Sequence, residues 1–170
     1  GTWQEHWLDE HLQEVARLAG EFASTFDSND WARLAGLWHD LGKYSAEFQQ
    51  YIRSASGYEA HIEGAAGRVD HSTAGAIHAM RQFDKLGRIL AYLIAGHHAG
   101  LPDWSAAGTG AKSLSSRLDT TQSYLLDRIP AQAIPPTILA QSRPTAKSKG
   151  GADGFHLWLR MLFSCLTDAD

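Results

Sequence analysis

Apolar residues in the first part of the chain return every three or four positions: Leu8, Leu12, Val15, Ala19, Phe22 and Phe26. A helix gathers such residues on one face, whereas a strand alternates with period two. The spacing therefore predicts a long first helix, and similar patterns follow. Asn29 or Asp30 can cap a second helix over residues 31–41, stopped by Gly42, and a third is expected over residues 45–54. The Gly/Ala-rich stretch 57–67 reads as a loop. Asp70 or Ser72 opens a fourth helix reaching Phe83, and residues 85–97 form a fifth, broken by Gly100-Leu101-Pro102-Asp103. After a flexible stretch at 105–110, residues 112–128 are expected to be helical again. Pro130, Pro135, Pro136 and Pro144 predict a looser region that ends in the polar tract 141–151. A last helix, from Asp153 onward, carries Phe155, Leu159, Leu162, Phe163 and Leu166 on one face. No alternating strand pattern and no internal repeat stand out. The expected fold is all-α, an irregular helical bundle making one domain over residues 1–170.

With 44% hydrophobic residues the chain can build a real core. Its longest apolar run, residues 89–95, is far below the roughly 18–20 residues that a membrane span needs. Cys165 is the single cysteine, which excludes an internal disulfide and a thiolate-rich zinc site; it fits a reducing, cytoplasmic setting and reads as packing. A net charge of −4 argues against a broad basic nucleic-acid surface. Residues 103–160 nevertheless carry seven Lys/Arg against four Asp/Glu, so any contact with a phosphate backbone should lean on that segment.

Nine histidines in a cysteine-poor chain invite a metal reading, because neutral imidazole is the commonest nitrogen ligand. His39-Asp40 ends the second apolar helix, where a carboxylate without a cation or donors nearby would be costly. A carboxylate can bridge two ions while an imidazole binds one, so the pair can bracket a dinuclear site. Lys43 lies one turn on and could donate to a phosphate oxygen, or could be a solvated lysine. The vicinal His97-His98 diverge by about 100° on a helix, so they would serve different sides of one site. His71 opens a helix among small residues, and His78, seven residues later, reads as supporting or packing. His11 shares a face with Val15 and Leu18, which favours it over His6 on a polar face. His61 reads as solvated and His156 as structural. Asp168 and Asp170 follow the last apolar helix, and one of them could close a metal site.

In order, His11, the stretch His39-Asp40-Leu41-Gly42-Lys43, His71, His97-His98 and the terminal Asp168-Ala169-Asp170 resemble the HD nuclease domain of CRISPR-associated Cas3 proteins of type I systems. Residues 10–23 are similar to that family's opening helix, and residues 101–153 are the least diagnostic. The resemblance implies an HD-type helical domain that binds one or two divalent ions (Mn, Ni, Co, Fe or Mg) and cuts DNA, chiefly single-stranded. It implies one ion on His11, His39, Asp40 and the final aspartate, Asp168 or Asp170, with the Ala-Asp ending favouring Asp170. The other would sit on Asp40, His71, His97 and His98, with Asp40 and Lys43 carrying catalysis. The implied partners are a superfamily-2 helicase, in cis or in trans, and through the full protein a Cascade-type effector complex. The chain is then expected to be either a stand-alone nuclease subunit or a domain of a larger protein. Trp104, Arg117 and the basic tract 143–149 are candidates for guiding a strand, although Trp104 also reads as the edge of a core. The competing expectation is a small-molecule HD phosphohydrolase acting on nucleotides or cyclic nucleotides.

Overall fold

The computed structural model describes residues 7–54, 70–105, 113–119 and 124–170. Among these residues every regular element is helical, and the fold is all-α. The main helices are α1 (Leu8–Ala23), α2 (Asn29–Trp38), α3 (Ala46–Ser54), α4 (Ser72–Phe83) and α5 (Gly87–Gly96). Short turns α6 (Leu114–Arg117), α7 (Tyr124–Asp127) and α8 (Pro136–Leu139) follow, and α9 (Gly151–Ala169) closes the chain. The expected loop at 57–67, most of 105–110, His6 and His61 lie outside the described residues.

Two helix pairs make the frame, α1 against α2 and α4 against α5, and α9 lies across α1, α2 and α5. The first-helix spacing works as expected at Leu12, Val15 and Ala19, which are buried with Leu34, Trp38, Leu90, Ile94, Leu162 and Leu166. Leu8 and Phe26, at the two ends of that spacing, pack half-buried against this core, whereas Phe22 is exposed. Among the described residues no helix is long and apolar enough to cross a membrane.

Several boundaries differ from expectation for local reasons. Ser28 takes the N-cap position of α2, while Asn29 and Asp30 lie inside the helix. The Asp30 carboxylate instead accepts backbone N–H bonds from Thr145 (2.6 Å) and Ala146 (3.1 Å). The second helix ends at Trp38 rather than Leu41, and Leu41–Tyr44 winds as a 3-10 turn. Residues 112–128 are not one helix: α6 stops at Arg117 and a bend follows at Leu118-Asp119. The proline-rich region is anchored rather than loose. Ile134 and Ile138 are buried, and the indoles of Trp38 and Trp31 each donate at 2.8 Å to the carbonyls of Ile138 and Ala146.

Two glycines allow the close approaches that build the site. A Cβ on Gly75 of α4 would overlap the Trp38 carbonyl at the end of α2, and one on Gly42 would overlap the His71 backbone. Gly42 uses that space to donate its N–H to the His71 carbonyl at 2.9 Å, joining the turn after His39-Asp40 to the start of α4.

Candidate metal centre

Two helices end in the same way. His39 is the C-cap of α2, and its Nδ1 lies 2.7 Å from the Gly36 carbonyl. His97 is the C-cap of α5, and its Nδ1 lies 2.6 Å from the Ile94 carbonyl. The last carbonyls of a helix lack intrahelical partners, so each ring donates Nδ1–H backward and turns the lone pair of Nε2 outward. That is how a metal-binding imidazole is held by its outer shell.

Both Nε2 atoms converge on Asp40, which is fully buried. Its Oδ2 lies 3.2 Å from His39 Nε2 and 3.7 Å from His11 Nε2, whereas Oδ1 lies 3.5 Å from both His71 Nε2 and His97 Nε2. Asp170 Oδ1 completes the first side at 3.2 Å from His39 Nε2 and 3.3 Å from His11 Nε2. His98 Nε2 completes the second at 2.9 Å from His71 Nε2. The candidate ligand atoms form two compact groups, His11/His39/Asp40/Asp170 and Asp40/His71/His97/His98, each within 4.8 Å, that share one carboxylate.

This donor set fits divalent cations. Both Asp40 oxygens and His97 Nε2 are buried and lack a hydrogen bond with acceptable geometry, and such orphaned groups inside a protein call for an ion or another partner. Bonds of 2.0–2.2 Å around one ion imply ligand–ligand edges of about 3.0–3.5 Å, close to the separations here. Lys43 Nζ, 2.5 Å from Asp40 Oδ2 and partly exposed, supplies a counter-charge from the open side. His11 and Asp170 share that side, with side chains 30% and 18% exposed against 0% for His39 and Asp40.

Electrostatics separates the two groups. Burial opposes charge on Asp40 and Asp170, yet the surrounding imidazoles hold both carboxyls well below their usual range. Burial likewise opposes charge on His39, yet Asp40 and Asp170 raise it, and the closeness of Asp170 and Asp40 raises His11. His98 goes the other way, pushed down to about 3 by burial and by its neighbours His97 and His71. Ionised carboxylates and a neutral His98 suit a cation, which would displace the protons that His11 and His39 otherwise hold against Asp40 and Asp170.

Of the two terminal candidates, Asp170 joins the cluster and Asp168 is exposed outside it. His78 is buried elsewhere, edge-on to the Trp38 ring with centroids 4.6 Å apart. His156 is exposed rather than structural. The basic tract lies at the start of α2, tied to Asp30, nine residues or about 13 Å of helix rise from His39. Arg117 is engaged within the fold. Its guanidinium donates to Thr73 Oγ1 (2.8 Å), Ser72 Oγ (2.6 Å) and the Ala95 carbonyl (2.6 Å), and pairs with Asp70 at 3.4 Å. It thus ties the start of α4, beside His71, to the end of α5, beside His97 and His98. Sequence reasoning missed this tie, because its partners lie 22 to 47 residues away.

The family profile for "Cas3, HD domain" matches residues 1–150. No curated protein matches the chain. The profile covers the elements that carry His11, His39-Asp40, His71 and His97-His98, while α9 and Asp170 join them through geometry alone. Two His/Asp groups that share Asp40 could each hold a divalent ion, and by the profile match the chain belongs to the Cas3 HD-domain family.

Proposed function

We propose that this chain is a metal-dependent nuclease that hydrolyses phosphodiester bonds, mainly of single-stranded DNA, in type I CRISPR interference. The observation that carries the reading is the division of Asp40, with Oδ2 toward His11, His39 and Asp170 and Oδ1 toward His71, His97 and His98. Those groups would hold one ion each, with Asp40 shared. Nitrogen-rich ligation suits Mn, Fe, Co or Ni better than Mg, which prefers oxygen. Paired divalent ions supply a water of lowered pKa and positive charge for the phosphate and the leaving oxygen.

The residues do the rest. Asp40 fixes the spacing of the two ligand groups, and the Gly36 and Ile94 carbonyls keep His39 and His97 in the Nε2-outward tautomer. Lys43, on the open side, would leave Asp40 for a non-bridging phosphate oxygen and stabilise its growing charge. His11 and Asp170 frame the entrance, so a strand rather than a closed pocket suits the approach. A superfamily-2 helicase, in cis or in trans, would deliver that strand, and a Cascade-type complex would recruit the full protein.

Purified protein with Mn or Ni should degrade a circular single-stranded DNA, and Asp40→Ala should lower the rate by at least about a thousandfold, as loss of several kcal/mol of transition-state stabilisation requires. Undiminished cleavage by that variant would overturn the mechanism. Turnover of mononucleotides or cyclic nucleotides without DNA cleavage would move the chain to the small-molecule HD phosphohydrolases.

A further inference from the structure

We propose that the groove between α5 and α9 is a single-strand binding surface, in which Arg88 and Arg160 hold phosphates and Trp104 stacks a base. The proposal rests on the nuclease reading and adds where the strand lies outside the metal centre. The groove encloses about 520 Å³, and its lining includes Lys85, Arg88, Tyr92, Phe155, Leu159 and Arg160.

Charge is the first argument. Among the described residues Lys85, Arg88 and Arg160 make no ion pair, whereas Arg17, Arg81, Arg117 and Arg128 each face a carboxylate. Asp103 is the one acid in the lining. A chain with a net charge of −4 therefore gathers three cations against one acid on one concave face, and such a face selects an anionic partner.

Aromatic chemistry narrows the partner. The Arg88 guanidinium lies 4.1 Å from the Trp104 ring centroid, and the Tyr92 ring is 6.4 Å from that ring. Trp104 is 39% exposed despite its size. A guanidinium stacked on an indole stays charged and keeps its edge free for phosphate, and the exposed ring surface accepts a base. Alternating cations and rings are how proteins hold single strands without reading sequence. An acidic peptide would use the cations but not the ring platform.

Placement supplies the last argument. α5 and α9 deliver His97 and Asp170 to the metal centre from their C-terminal ends. Arg88 stands nine residues before His97 and Arg160 ten before Asp170, or about 13–15 Å of helix rise. The two helices thus carry the groove and the centre at successive levels. Leu101, which lines the groove, packs on Gly96 between the two levels.

The test measures binding of a fluorescein-labelled 15-nucleotide oligo-dT by anisotropy, without added metal so that no cleavage occurs. Arg88→Glu/Arg160→Glu should weaken binding at least tenfold and reduce the salt slope by about 1.4, as loss of two phosphate contacts on a single strand predicts. Trp104→Ala should weaken it about fivefold or more, and unchanged melting temperatures would show that both variants fold. Parent-like affinity in both variants would overturn the groove. Competition by dTMP at micromolar concentration would also overturn it, in favour of a mononucleotide pocket. Hydrolysis of bis(p-nitrophenyl) phosphate by the parent with Mn, lost in Asp40→Ala, reports on the metal centre alone. Failure of the groove would leave that hydrolysis intact, whereas a parent without it would lack the working metal centre on which the nuclease reading depends, whatever the oligonucleotide does.

Discussion

Asp170 Oδ1 lies 3.2 Å from His39 Nε2, across 131 residues of sequence. The contact joins the end of α9 to the end of α2 and makes the last residue of the chain part of the cluster around Asp40. It also separates Asp170 from Asp168, which stands exposed on the same helix. Asp170→Asn should weaken binding of one Mn ion by more than the 10–100-fold typical of an outer-shell change, while Asp168→Asn should bind like the parent. Isothermal titration of both variants checks this, and equal affinities would remove Asp170 from the site.

Much of the centre was legible in the sequence because its residues sit at helix ends. His39-Asp40 closes an apolar run, and His97-His98 precedes Gly100, so both pairs announced a buried, polar helix terminus. Which terminal aspartate joins the cluster was not legible. Asp168 and Asp170 differ by about 200° of helix rotation, and only the packing of α9 on α1 and α2 decides which one turns inward. Helix α1 was readable from period alone, but the region 130–149 was not. It is held by buried isoleucines and by bonds from two indoles and Asp30, which leave no periodic trace.

Arg117 joins the elements that carry the second histidine group, through four partners at the start of α4 and the end of α5. Lysine keeps the charge but cannot reproduce a planar fork with several fixed donors. Arg117→Lys should therefore lower affinity for one of two Mn ions by about 10–100-fold, the range for losing outer-shell support, and leave the other unchanged. A two-site calorimetric titration reads the difference. Equal weakening of both ions would mean a general loss of structure instead.

Asp84 ends α4 at φ 48° and ψ −125°, a conformation that a side chain makes strained. Its N–H still bonds to the Met80 carbonyl, and that bond survives any substitution except proline. Asp84→Gly should stabilise the fold by on the order of 1 kcal/mol, the strain relieved less the added chain entropy. That corresponds to a rise of about 2–4 °C in melting temperature for a chain of this size. Asp84→Ala, which keeps the Cβ, should show no such gain.

His78 is a buried imidazole outside the metal cluster, and its Nε2 has no hydrogen-bond partner among the described residues. Burial pushes it down to about 4 from 6.5; the Leu139 backbone opposes that shift and the Arg81 charge adds to it. Below pH 6.5 the unfolded chain takes up a proton that the folded chain refuses. Folding stability contributed by this residue is therefore full above about pH 6.5, falls as the pH drops, and is lost by about pH 4. The full span is worth on the order of 3 kcal/mol. Urea unfolding of the parent and of His78→Leu at pH 7.5 and pH 4.5 isolates the effect, since other titrating groups are common to both. The parent should lose more stability than the variant on acidification. Parallel losses would show that His78 is protonated without penalty, against its packing on Trp38.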